Sequence, residues 1–172
     1  MRLFIAINPD DETRRRLVAL LDALRSRSSR GRFTIPENIH LTLAFLGECD
    51  PSKTEKIKNA MGSVQFTQFS MSVDRIGRFR RDGGDIWWAG IAENGKLTEI
   101  RGALVKELAA EGIGVDERFE AHMTIGREIR TDERPYDVEP FTLTVNSVDL
   151  MRSERIDGVL MYTMIHTKEA QL

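Results

Sequence analysis

Two short stretches of this chain repeat one another: IHLTLAFLG at residues 39–47 and AHMTIGR at residues 121–127. Each sets a histidine and a threonine two positions apart among apolar residues. Side chains alternate faces along a strand, so His40 and Thr42 point one way, roughly 6.5–7 Å apart along the backbone. Leu41 and Leu43 point the other way, and His122 and Thr124 stand in the same relation to Met123 and Ile125. The pattern demands two strands, each burying one face and offering an imidazole and a hydroxyl on the other. If the strands are neighbours, two histidines and two hydroxyls converge on one cleft.

The rest of the chain supplies strands and helices in mixed order. RLFIAI (residues 2–7) reads as a strand, and Leu17, Leu20, Leu21 and Leu24 make an amphipathic helix over residues 11–28 that SSRGR ends. After the first motif, Ser52 and Glu55 form a capping-box pattern beside Pro51, and Gly62 closes that helix. Residues 66–79 and 86–91 read as a hairpin around RRDGGD. Leu97, Ile100, Leu104 and Leu108 make a third helix over residues 96–111. Beyond the second motif, Glu128–Pro140 reads as a polar loop, followed by two closing strands around a turn at Ile156–Gly158. The order β-α-β-α-β-β-α-β-β-β, with no glycine-rich phosphate loop after a strand, predicts an α+β fold rather than a doubly wound sheet.

The four motif residues suit one chemistry. Two imidazoles, with unperturbed pKa values near 6.5, serve as general acid and general base at neutral pH. Two hydroxyls hydrogen-bond the non-bridging oxygens of a phosphate held between them, and Arg127 adds charge at the end of the second strand. The set fits in-line attack on a phosphodiester, and a strained 2′,3′-cyclic phosphate fits best. A metal site, and with it metal catalysis, is not expected: there is one cysteine, Cys49, and no H-x-H or H-E-x-x-H pattern. No cofactor is expected either. His166, which has no threonine two residues on, reads as a structural or surface histidine.

Net charge is −2, from 25 basic and 27 acidic residues, so no global attraction to a polyanion exists and only a small piece of one is expected to bind. Arg75, Arg78, Arg80 and Arg81 form a basic cluster around a turn. It reads first as a solvated hairpin, and as a functional alternative as a contact to RNA phosphates beyond the scissile one. Trp87 and Trp88 face opposite sides of their strand, so one is expected in the core; the other, Phe45 and Phe79 are candidates to stack on a base. Cys49, between acidic neighbours, reads as an unreactive thiol, and its solitude fits a cytoplasmic protein. No run reaches the length of a membrane span, so no membrane partner is expected.

With these residues in view, IPENIHLTLAFLG and FEAHMTIGR, after an N-terminal MRLFIAI, resemble the two-histidine (2H) phosphoesterases. The similarity is greatest to the branch of RNA 2′,3′-cyclic phosphodiesterases known also as 2′-5′ RNA ligases. It runs nearly end to end and includes DIWWAGI, LTEIRGALVKEL and VDLMRSE. The resemblance implies a single domain over residues 1–172, made of two intertwined, pseudo-symmetric lobes of mostly antiparallel sheet with outer helices and an active-site groove between them. It implies His40 as proton donor and His122 as proton acceptor, with Thr42, Thr124 and Arg127 on the phosphate. The implied activity is metal-independent opening of an RNA-terminal 2′,3′-cyclic phosphate to a 2′-phosphate, by a monomer. The alternatives are hydrolysis of a small cyclic nucleotide phosphate, reversible 2′-5′ RNA ligation, and a non-catalytic RNA-end-binding module. Two departures bear on groove shape: Phe33 stands where the family often has tryptophan, and Ala121 where proline commonly precedes the second histidine.

Overall fold

The computed structural model describes residues 1–172. β1 (Arg2–Ile7) runs into the Asp10 cap, whose carboxylate accepts from Thr13 N at 2.8 Å. From there helix α1 (Asp11–Ser26) buries Leu17, Leu21 and Leu24, with Asp11 and Glu12 in its first turn and Arg25 in its last, complementing the helix dipole. β2 (Ser28–Phe33), a 3₁₀ turn at Pro36–Asn38 and β3 (Leu41–Glu48) follow. Helix α2 (Thr54–Ser63), the β4–β5 hairpin (Phe69–Phe79, Asp85–Ile91) and helix α3 (Gly95–Ala110) complete the middle of the chain. Asn94 caps α3 by accepting from Leu97 N at 3.0 Å, and the expected Leu97, Ile100, Leu104 and Leu108 are its buried stripe. The chain closes with β6 (His122–Thr131), β7 (Tyr136–Val145), β8 (Ser147–Ile156) and β9 (Val159–Glu169).

In space the strands run β7-β4-β5-β6-β3-β1-β8-β9, each antiparallel to its neighbours, and β2 pairs with β6. The fold is therefore α+β, and the strand order is symmetric about the junction of the two motif strands, with four strands on each side. Helix α1 follows a strand of one half and packs on β2, β6 and β7 of the other. Helix α3 does the reverse, following β5 and packing with α2 over β3 and β9.

Four local expectations need correction. SSRGR does not merely end a helix: it opens β2, whose polar side chains stay exposed because the strand is held by backbone pairing to β6. The expected loop at 128–140 is mostly strand, since β6 runs on to Thr131 and β7 begins at Tyr136. β7 is an outermost strand, where Pro140 forfeits no ladder hydrogen bond and polar side chains face water. The first of the two expected closing strands, FTLTVNSVDLMRSE at residues 141–154, breaks at Asn146, where the chain crosses from one half of the sheet to the other. Ser52 does not cap α2: Asp50 caps a 3₁₀ turn at Pro51–Lys53 that leads into the helix, accepting from Ser52 N at 2.8 Å, and Gly62 lies inside α2. No helix is long and apolar enough to cross a membrane.

Candidate active site

β3 and β6 meet at a single bridged pair, Leu41 opposite Met123. In an antiparallel pair that register sets His40 opposite Thr124 and Thr42 opposite His122. Leu41 and Met123 are fully buried, so all four motif side chains turn to the other face. Away from this contact the strands diverge, β2 pairing with the remainder of β6 and β1 with β3. The divergence opens a cleft of about 690 Å³, lined by His40, Thr42, His122, Thr124 and Arg127 together with Tyr162.

Arg127 reaches this cleft through a backbone irregularity. Strict alternation would send it to the face opposite Thr124. The β5–β6 register shifts between Trp88↔Thr124 and Trp87↔Gly126, adding one residue to β6. The bulge turns Ile125 and Gly126 inward and returns Arg127 to the cleft side, where it makes no ion pair.

The two histidines are held alike. His40 Nδ1 lies 2.7 Å from Asn38 O, and His122 Nδ1 lies 2.5 Å from Glu120 O, each the carbonyl two residues back. A carbonyl only accepts, so Nδ1 carries the hydrogen in both rings, leaving Nε2 as the nitrogen that exchanges a proton. His40 Nε2 accepts from the Thr42 hydroxyl at 2.8 Å, and His122 Nε2 has no protein partner. Each ring also sits between two aromatic rings. Phe4 and Tyr162 lie 4.8 and 5.2 Å from His40. Phe79 and Trp88 lie 5.1 and 5.8 Å from His122.

Burial pushes His40 down to about 4, against an upward pull from the Asn38 carbonyl, and the cations of His122, Arg127 and Arg14 push it further the same way. Burial also lowers His122, opposed by the Glu120 carbonyl and charge and assisted by Arg127. Both rings are thus poised neutral at pH 7. The folded state holds His40 below its ordinary 6.5, so its share of stability is complete above that pH and is lost as pH falls through 6.5 toward 4. Urea unfolding of the wild type and His40→Gln at pH 7 and pH 4.5 measures this. The wild type should lose up to about 3 kcal/mol more than the variant on acidification.

Several positioning groups lie outside the motifs. The buried Asn38 donates to Leu160 O at 2.8 Å and accepts from Tyr162 N at 3.3 Å, fixing Tyr162 against His40. Arg14 of α1 donates to Ile39 O at 3.3 Å and also to Pro36 O, clamping the turn that precedes His40. Arg101 of α3, 9% exposed, donates to Leu43 O at 3.2 Å and to the carbonyls of Glu117 and Asp116. It ties the first motif strand to the loop that delivers His122. A role played through backbone carbonyls leaves no side-chain signature in the sequence.

Other sequence candidates sort by position. Trp87 is fully buried as expected of one tryptophan, but Trp88 is buried as well, lying over Gly77 beside His122, so neither indole is open to a base. Phe45 lines the cleft at 52% exposure, with the Arg2 guanidinium 5.1 Å from its ring. Cys49 is buried and its thiol is pushed up, by burial first and by Glu48 last. His166 lies on β9 opposite Leu150 and does not line the cleft.

Two sheet halves that each donate a matched His-x-Thr strand to one cleft define a class, the two-histidine phosphoesterases. The LigT-like phosphoesterase family model matches residues 7–88. An RNA 2′,3′-cyclic phosphodiesterase of Archaeoglobus fulgidus is 34% identical over 139 residues, which cover 80% of this chain and 78% of the relative. One of the same name from Thermotoga maritima is 34% identical over 130 residues, covering 74% and 70%. The crystal structure of Escherichia coli LigT with 3′-AMP superposes with a TM-score of 0.81 at 24% identity, covering 99% of this chain and 98% of that one. The chain belongs to the LigT-like phosphoesterase family.

Proposed function

We propose that this protein hydrolyses the 2′,3′-cyclic phosphate at RNA ends to a 2′-phosphate, with His122 as base and His40 as acid. The observation that carries the reading is the Leu41↔Met123 register, which gathers two imidazoles and two hydroxyls on one face. The two relatives at 34% identity are both named RNA 2′,3′-cyclic phosphodiesterase, which supports the same substrate here.

The phosphate lies between Thr42 and Thr124, its anionic oxygens taking their hydroxyl hydrogens and the charge of Arg127. Water attacks phosphorus in line with the bond to the 3′ oxygen. As the new P–O bond forms, His122 Nε2 takes the water's proton; as the P–O3′ bond breaks, His40 Nε2 gives a proton to the departing oxygen. His122 fits the base because its Nε2 is free for water. His40 takes the complementary role of acid: the Asn38 carbonyl holds its Nδ1–H, which leaves Nε2 beside Thr42 in the cleft to carry the transferable proton. The anionic phosphate answers the charge of Arg127 and so raises both histidines on binding.

This predicts a bell-shaped pH dependence whose position shifts with binding. The kcat/KM profile reports the free enzyme, where both histidines lie below 6.5, so its optimum falls below that pH. The kcat profile lies higher. Both are measured in EDTA with a short RNA ending in a cyclic phosphate. A kcat/KM optimum on the alkaline side of 7, or loss of rate in EDTA, would count against paired-histidine catalysis.

A further inference from the structure

We infer that a second, arginine-lined groove at the tip of the β4–β5 hairpin binds the ribose-phosphate backbone of RNA on the 5′ side of the cyclic end. This rests on the function proposed above and extends it from the reacting phosphate to the chain that carries it.

The groove has a volume of about 650 Å³ and shares no lining residue with the catalytic cleft. Arg27, Arg78, Arg80, Arg81 and Arg130 line it, against Asp82, Asp85 and Asp132. Five cations against three anions line it, an excess of +2 that Glu133, 3.7 Å from Arg27, cuts to +1, in a chain whose net charge is −2. These cations are poorly spent within the protein. Asp85 is shared between Arg78 at 3.8 Å and Arg80 at 4.0 Å, both beyond hydrogen-bond length. The side chains of Arg81 and Arg130 have no acidic partner, donating only to the carbonyls of Arg80 and Asp82, while Asp85 accepts the Arg81 backbone N–H at 3.0 Å. Arg80 has its side chain 75% exposed. Guanidinium groups with unused planar donors match phosphate oxygens.

The place of the groove supplies the second argument. A cyclic phosphate closes the 3′ end, so the rest of a bound RNA can only continue in the 5′ direction, out of one end of the cleft. The hairpin adjoins the cleft through Phe79, whose ring lies 5.1 Å from that of His122 and 5.8 Å from the Arg81 guanidinium carbon. β5 runs from Asp85 in the groove to Trp88 beside His122, a rise of about 10 Å, within reach of a few nucleotides. Along β6 the unpaired Arg127 stands between Thr124 in the cleft and Arg130 in the groove. Gly84, at φ +118°, holds the hairpin tip against the Glu128 backbone, where a Cβ would collide, so the arginines project from a fixed turn.

The test compares kcat/KM on a 2′,3′-cyclic mononucleotide and on a short oligoribonucleotide ending in the same group, for the wild type, Arg80→Gln/Arg130→Gln and Asp82→Asn. The double variant should lose about tenfold on the oligonucleotide with the mononucleotide nearly unchanged, and its salt dependence should flatten by about 0.7 per phosphate contact removed. Asp82→Asn, which removes an opposing charge, should move the oligonucleotide rate upward. An unchanged oligonucleotide rate in the double variant, or equal losses on both substrates, would overturn the groove assignment. If the wild type turns over neither substrate, the proposed reaction fails and the groove is judged separately. Fluorescence anisotropy with a labelled 3′-hydroxyl oligoribonucleotide then decides: weaker binding by the double variant keeps the groove, and equal binding removes it.

Discussion

His122→Ala should lower kcat on a 2′,3′-cyclic phosphate by about 10³-fold, the usual share of a positioned proton-transfer group. Its circular dichroism should stay close to wild type, because His122, although flanked by Phe79 and Trp88, is the less deeply buried of the two rings. His40 is wedged between Phe4 and Tyr162, so alanine there would leave a gap. His40→Gln keeps volume, removes the transferable proton and should cost a similar factor. The double variant should fall little below either single one, since a base without its acid completes no turnover. A single variant at wild-type rate, confirmed folded, would remove the paired-histidine mechanism.

The threonines should separate from each other. Thr42→Val and Thr124→Val keep the shape of the side chain without the hydroxyl, and each should lower kcat by about 10²-fold by removing a donor to the developing phosphate charge. Their pH behaviour should differ. The Thr42 hydroxyl donates to His40 Nε2 in the free protein, whereas the Thr124 hydroxyl makes no such contact. Thr42→Val should therefore move the limb of the kcat/KM profile that reports His40, and Thr124→Val should lower the profile without moving it. Serine at either position restores the hydroxyl and should recover most of the rate. Identical pH profiles for the two valine variants would contradict the assigned hydrogen-bond pattern.

What could be read from sequence divides by how local its cause is. His40, Thr42, His122 and Thr124 announce themselves because alternation on an apolar strand is a two-residue rule. The helices at Leu17–Leu24 and Leu97–Leu108 are equally plain, since their buried stripe is written in their own residues. β2 was hidden because its pairing with β6 is a matter of backbone, and Ser28–Arg32 carries no apolar alternation. Arg127 could be proposed by proximity to His122, but its route to the cleft depends on a bulge that only the β5 register reveals. Arg14 carries no sequence signal of its role, because it clamps the turn before His40 through carbonyl oxygens. The groups that fix both imidazole tautomers are main-chain carbonyls of Asn38 and Glu120, which no residue pattern encodes.

The central claim is that the cleft breaks the bond to the 3′ oxygen using its own side chains. It is tested most directly by incubating the protein in EDTA with a short RNA ending in a 2′,3′-cyclic phosphate and locating the phosphate in the product. The account predicts a 2′-phosphate and a free 3′-hydroxyl. A 3′-phosphate would reverse the direction of attack, and an unchanged cyclic end in the presence of folded protein would contradict the proposed reaction outright.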